Sequence, residues 1–423
     1  MLLARRWGLI HAHARGAPWI VKSGGAGLGG TGTTISSGNI GIGVRRRDPA
    51  GPQLYLQRLA GSVMQTIQPT GGDDTGLIQS SITANYGSEL VLDGVFHTTA
   101  PLSILDTIAM RGTLAQGDGV RGYHGIPLLP IPADLKGSAI LPGLHDAIRV
   151  ATNKSVLLEK FQVSYALGAS SGSSLTAIKF AADPGAENLN TGSKIRDICT
   201  TNADYAVHMT NCANFEISGC ALLYSWIGGL ILENPNYPSY GDGLVDRNTF
   251  WGGAVTNTFH ILLLSHGGLR IFKNTFIAGG ANVSNAIQIS PNYPTVQHVE
   301  PLLIDSNTIE GPTNGIAFSK FSGPGDCSQV SITANQIWAG KSAIYAAAFQ
   351  GNPWITGLSI SGGSMTTNGG PSNPAIITLD GVSNAVIDGI DFNAVAGPVS
   401  AIRLGAACSN IVVGANAKGT GVV

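Results

Sequence analysis

The sequence has little charge. Only 12% of its 423 residues are Asp, Glu, Lys or Arg, and 24 bases against 25 acids leave a formal net charge of −1. That balance excludes the basic footprint of a nucleic-acid partner and points to a surface covered by small and hydroxyl side chains rather than by ion pairs. No apolar run reaches membrane-spanning length, so membrane insertion is not expected. The five cysteines, Cys199, Cys212, Cys220, Cys327 and Cys408, are odd in number and lack CxxC spacing. They read as small core or surface residues rather than a disulfide framework or a metal site. His124, His145, His208 and His298 are scattered without ligand spacing, so neither metal nor cofactor is expected. A secretion signal is also not expected. After Arg5 and Arg6 the stretch WGLIHAHARGAPW is broken by His11, His13 and Arg15 where a continuous apolar segment is required. No GKS or GKT follows the Gly-rich SGGAGLGGTGTT, which reads as a flexible linker rather than a phosphate cradle.

What is present is a phrase that keeps returning: LVDRNTF, RIFKNTF, LIDSNTI and SITANQI. Its inner aliphatic falls at Ile217, Val245, Ile271, Ile304, Ile332, Ile360, Ile387 and Val413, with gaps of 28, 26, 33, 28, 28, 27 and 26 by subtraction. So steady a period means a solenoid. Three residues after each marker stand Cys220, Asn248, Asn274, Asn307, Asn335, Gly363, Ile390 and Asn416. The phrases alternate in steps of two and are rich in Ile, Val, Thr and Asn, so they are strands. Stacked at about 4.8 Å, successive coils form parallel sheets, and the recurring Asn predicts an amide ladder along a turn. A second strand follows in each period, at 261–264, 286–289, 315–318, 343–346, 375–378 and 401–404. Its middle residue gives the column Leu262, Gln288, Ala317, Tyr345, Ile377 and Arg403, with His208 and Ile231 on earlier coils. If this column faces outward it suits a three-fold interface; the alternative is that it faces the core.

Residues 1–66 lack the coil phrase and hold the Gly-rich stretch and GNIGIG. Next comes GDDTGLIQSSI, then a strand, a Gly-containing turn and another strand. Asp73, Asp74 and Thr75 offer N-cap oxygens, and Leu77, Ile78 and Ile82 give a short helix an apolar face. This segment resembles the opening of right-handed parallel β-helix proteins of the pectin-lyase type, where such a helix plugs the first coil. The resemblance covers residues 67–423 and implies an all-β fold: a right-handed single-stranded parallel β-helix solenoid with an N-terminal capping helix. GNIGIG is similar to phrases in phage fibre proteins. Together with the unsecreted chain and the distinct N-terminal segment, this layout resembles a bacteriophage tailspike. The resemblance implies a virion protein made in the host cytoplasm, anchored to other virion proteins through residues 1–66. It implies a homotrimer that contacts bacterial surface polysaccharide through the helix flank.

The competing reading is a glycan depolymerase of the same fold. On the outward side of the first strand stand Asp246, Phe272 and Asp305 on three successive coils, with Arg270 and Arg247 nearby and Glu216 one coil earlier. Two coils separate the aspartates, roughly 9.6 Å at the strand spacing, and an inverting glycosidase holds its carboxyls about 6.5–9.5 Å apart. Phe272 between them offers a sugar-stacking ring. The bland alternative is that Asp before Asn is ordinary turn chemistry. A lyase would draw on Arg270, Lys273, His260 and His266. A further pair of loops, ENPNYPSYGDG and ISPNYPTVQHV, share PNYP, which predicts Tyr237 and Tyr293 along one groove with the loop carboxylates Glu233 and Asp242. Aromatic rings beside Asn and Asp suit carbohydrate; a rigid turn is the competing reading.

Overall fold

The computed structural model describes residues 64–423 apart from 114–136, 167–173, 182–188, 236–240, 253–258, 280–282, 292–297, 321–324, 369–374, 396 and 420, and before that only the strand pair Gly43–Val44 and Leu54–Tyr55. The chain divides into two units, Met1–Ser62 and Val63–Val423. The second is a parallel β-helix, as the repeat predicts. Its three long sheets hold fourteen, twelve and eleven strands among the described residues, and each strand pairs in parallel with its counterparts in the neighbouring coils. A coil runs through the first, second and third sheets in turn, as in Leu269–Phe272, Thr275–Ile277 and Asn285–Ile289.

The repeat marker is the register. Ile217, Val245, Ile271, Ile304, Ile332, Ile360, Ile387 and Val413 pair in unbroken succession in the first sheet. Alternation explains why: in Leu269–Phe272 the first and third residues are buried, Arg270 is exposed and Phe272 half-buried. One continuous core therefore runs inside the coils from Ile67 to Val399. Phe250 and Phe276 stack within it at 4.8 Å, so aromatic rings as well as strands repeat along the axis. Four of the five cysteines are buried, all are free, and they pack as small side chains.

Between the first and second sheets the chain turns sharply, and one residue per coil takes a left-handed conformation just before the ladder position. Arg247, Lys273, Ser306 and Ala334 do so with φ between 52° and 55°, where Gly219, Gly362 and Gly389 occupy the equivalent place. The ladder follows. Asn248 Nδ2 donates to Asn274 Oδ1 (3.0 Å), Asn274 to Asn307 (3.0 Å) and Asn307 to Asn335 (2.9 Å), each side chain also accepting the preceding coil's ladder-residue backbone N–H. Four stacked amides thus satisfy the ladder residues' buried backbone N–H groups, while the residues on either side bond backbone to backbone between coils.

The first coil is closed by the helix Thr75–Ala84, which buries Ile78 and Ile82 completely, with Leu77 packed beside them. The cap is made by Asp73, whose Oδ1 accepts the Thr75 backbone N–H at 3.0 Å. Asp74 instead turns its carboxylate to Thr70 and His97. In the third sheet the outward column is His208, Ile231, Leu262, Gln288, Ala317, Tyr345, Thr378 and Arg403. Ile377 was expected there. It pairs with Ile344 and is fully buried, because its strand is offset by one residue from the repeat of the AI dipeptide.

Candidate functional site

The aspartates expected on the first sheet are in register. Ser218, Asp246, Phe272, Asp305 and Thr333 pair in sequence along one outward column. Both carboxylates have neighbours of their own. Asp246 is mostly buried, with Oδ2 accepting the Arg247 Nε–H at 2.7 Å and Oδ1 buried without a hydrogen-bond partner among the described residues. Asp305 Oδ1 accepts Ser306 Oγ–H (3.1 Å) and Thr333 Oγ1–H (2.8 Å). The ring between them is partly covered, since the Lys273 ammonium lies 4.6 Å from the Phe272 centroid. Arg270 is exposed on the same strand, two residues before Phe272.

Nearer the N-terminus, a hollow of about 660 Å³ at the corner of the first and second sheets is lined in part by Glu159, Arg196, Asp197, Glu216, Ser218 and Arg247. Arg196 grips Glu216 with two bonds, Nε to Oε1 at 2.9 Å and Nη2 to Oε2 at 2.5 Å, and Ser218 Oγ–H adds a third at 2.7 Å. The Arg196 hydrogen bonds outweigh burial and hold the Glu216 carboxyl below the usual range. A glycosidase acid needs the reverse, a carboxyl kept protonated near neutral pH.

The two carboxylates expected in the PNYP loops stand on different elements. Glu233 is not in the loop; it ends the third-sheet strand Gly228–Glu233, where Oε1 bonds His208 Nε2 (2.7 Å) and accepts Thr210 Oγ1–H (3.0 Å). Asp242 stands exposed just before the first-sheet strand Leu244–Asp246, in a left-handed turn. Tyr237 and Tyr293 lie outside the described residues. His260 and His266, considered for a lyase, are fully buried inside the coils and carry no outward chemistry.

A site that sequence reading did not assemble lies on the third sheet. A hollow of about 400 Å³ is lined by residues that include Phe259, Asn285, Gln288, Asn314, Ser319 and Tyr345. Four strands supply it in register: Phe259 pairs with Asn285 and Asn285 with Asn314, and Gln288, Ala317 and Tyr345 follow one another in the adjacent column. Asn314 Nδ2 donates to Asn285 Oδ1 and Asn285 Nδ2 to Gln288 Oε1, each at 3.0 Å. An aromatic ring, a rigid row of amides and hydroxyls on a fixed backbone can pack against the C–H face of a sugar and bond its hydroxyls. Gln288 and Tyr345 were visible in the sequence as an outward column. The amides Asn285 and Asn314 were not, because nothing local marks the residues three positions before that column.

No protein-family model matches the chain, and a search of curated proteins also finds no match. Solved structures do. DFA-IIIase from Arthrobacter chlorophenolicus A6 without its lid is similar at a TM-score of 0.51 and 13% identity, covering 85% of this chain and 90% of that chain. The same lidless protein in complex with GF2 gives 0.52 and 14%, covering 84% and 89%. Bacteriophage CBA120 tailspike protein 3 is matched at 0.42 and 10% identity, covering 81% and 59%, too distant to bear on function. At these identities the likeness establishes the β-helix fold.

Proposed function

We propose that this chain is a glycan-binding spike, holding bacterial surface polysaccharide along the outer face of its third sheet. The observation that carries this reading is the third-sheet hollow, where Tyr345 stands beside the Asn285, Gln288 and Asn314 amides on three rigid strands. The DFA-IIIase complex with GF2 lends a neighbour of the same fold that holds a ligand. Residues 1–66 attach the spike to other virion proteins, and the body forms a homotrimer. The column through Leu262 and Tyr345, first read as the three-fold interface, is then the ligand face. Contact between copies falls to another flank, for which the exposed, paired Val386 and Val412 on the first sheet are suited.

A second reading, depolymerase activity, rests on one feature: the buried, unpartnered Oδ1 of Asp246 in register with Asp305. Binding is favoured because Asp305 and Glu216 are held by neighbouring donors and Glu216 is the wrong way from a general acid. The two readings separate in one experiment. Purified protein incubated with host surface polysaccharide is expected to adsorb without releasing new reducing ends, and Tyr345→Ala is expected to weaken adsorption several-fold to about tenfold, the worth of a lost ring contact. New reducing ends abolished by Asp246→Asn would establish the depolymerase instead. Failure of the wild type to adsorb to any surface glycan would remove both.

A further inference from the structure

We propose that the sugar seated in the third-sheet hollow is uncharged, a neutral hexosyl or N-acetylhexosaminyl unit. This rests on the glycan-binding reading above. None of the eight described residues lining the hollow carries a charge at neutral pH. An acidic sugar placed there would lose hydration with no counter-ion to replace it. Two of the cations on the strands of this sheet are already engaged: Arg149 bonds Asp146 at 2.9 Å and Lys179 lies 3.9 Å from the same carboxylate. Arg403 is exposed, but it stands two strands beyond Tyr345, roughly 9.6 Å at the strand spacing.

What the hollow does present is neutral hydrogen-bonding capacity in both senses. The amide chain from Asn314 through Asn285 to Gln288 consumes one donor of Asn314 and the Oε1 of Gln288, leaving an acceptor on Asn314 and the Nε2 donors of Gln288. Ser319 Oγ lines the same hollow, buried and without a partner among the described residues. A buried hydroxyl left unpaired is costly, and a ligand hydroxyl or acetamido group would satisfy it. The set matches the hydroxyls and amides of a neutral sugar, with Tyr345 for its apolar face.

The test is an array of neutral and of uronate- or sialate-bearing oligosaccharides, probed with the full chain at low and at high salt. Binding to neutral members, changed less than twofold by salt because no charge pair is screened, is the expected result. Tyr345→Ala and Ser319→Ala should each lower it, with unchanged melting temperature, while Arg403→Gln leaves it alone. Binding confined to acidic members, weakened by salt and lost in Arg403→Gln, would overturn the inference while leaving the glycan-binding reading intact. A wild-type chain that binds no member of the array would overturn that underlying reading, and the inference with it.

Discussion

His260 and His266 lie in one coil of the core, His260 with its ring 6.1 Å from Phe250 and 6.0 Å from Phe276, and His266 with Nδ1 bonded to the Gly267 carbonyl at 2.9 Å. Burial pushes their pKa values down, to about 3 and about 4 from an ordinary 6.5. The unfolded chain therefore binds protons below pH 6.5 that the folded chain refuses. Stability is complete above that pH and falls as pH drops toward 4, with a slope of about 1.4 kcal/mol per pH unit for each group. Thermal melts across this window should show the loss, and His260→Phe, which continues the stack of rings, should make the curve shallower. A melting temperature that does not change between pH 7 and 4 would contradict the placement of both rings. Nothing in the local wording marks this burial. His260 stands among aliphatic and small residues on the strand Phe259–Ser265, whose two faces differ only by a one-residue step, and His266 follows directly after it; the register shift between Leu232 and Glu233 in the paired strand moves that step locally.

At the scale of the coil, the corner between the first and second sheets was the most legible part of the chain. An inward aliphatic, an Asn and an apolar residue recur there at nearly constant spacing, and the buried amide ladder follows from those identities. Asn307 holds four partners: it accepts from the Asn274 backbone and side chain and donates to the Ile271 carbonyl and to Asn335. Asn307→Leu would leave the Asn274 N–H and the Ile271 carbonyl buried and unpaired, at roughly 1–3 kcal/mol each. A chemical denaturation midpoint equal to the wild type would show that water reaches this corner. Earlier coils were not legible. Leu90, Met110, Leu158 and Ile195 precede Ile217 in the same register, but at gaps of 20, 48, 37 and 22 by subtraction. Long connections hide the period there, and the ladder position holds no Asn. The ligand hollow was illegible for a related reason: its residues come from four coils, and only pairing between strands brings them together.

The body Val63–Val423 is one compact unit with its own continuous core and its own capping helix. A chain beginning at Val63 should therefore fold and melt cooperatively without the first segment. If the anchor lies in Met1–Ser62 and the flank carries the three-fold contact, that shortened chain will scatter light as a trimer yet fail to join particles; a monomer would move assembly to the N-terminal segment. Each coil pairs with the one before and the one after, and what recurs from coil to coil is a type rather than an identity: inward apolar residues on the strands and, in the later coils, a left-handed turn and an amide. The gaps of 20 to 48 residues between register positions show that the connections can differ in length without disturbing the stack. Very different wordings can therefore wind into one shape, and a structure at 13% identity shares the fold over 85% of this chain's length.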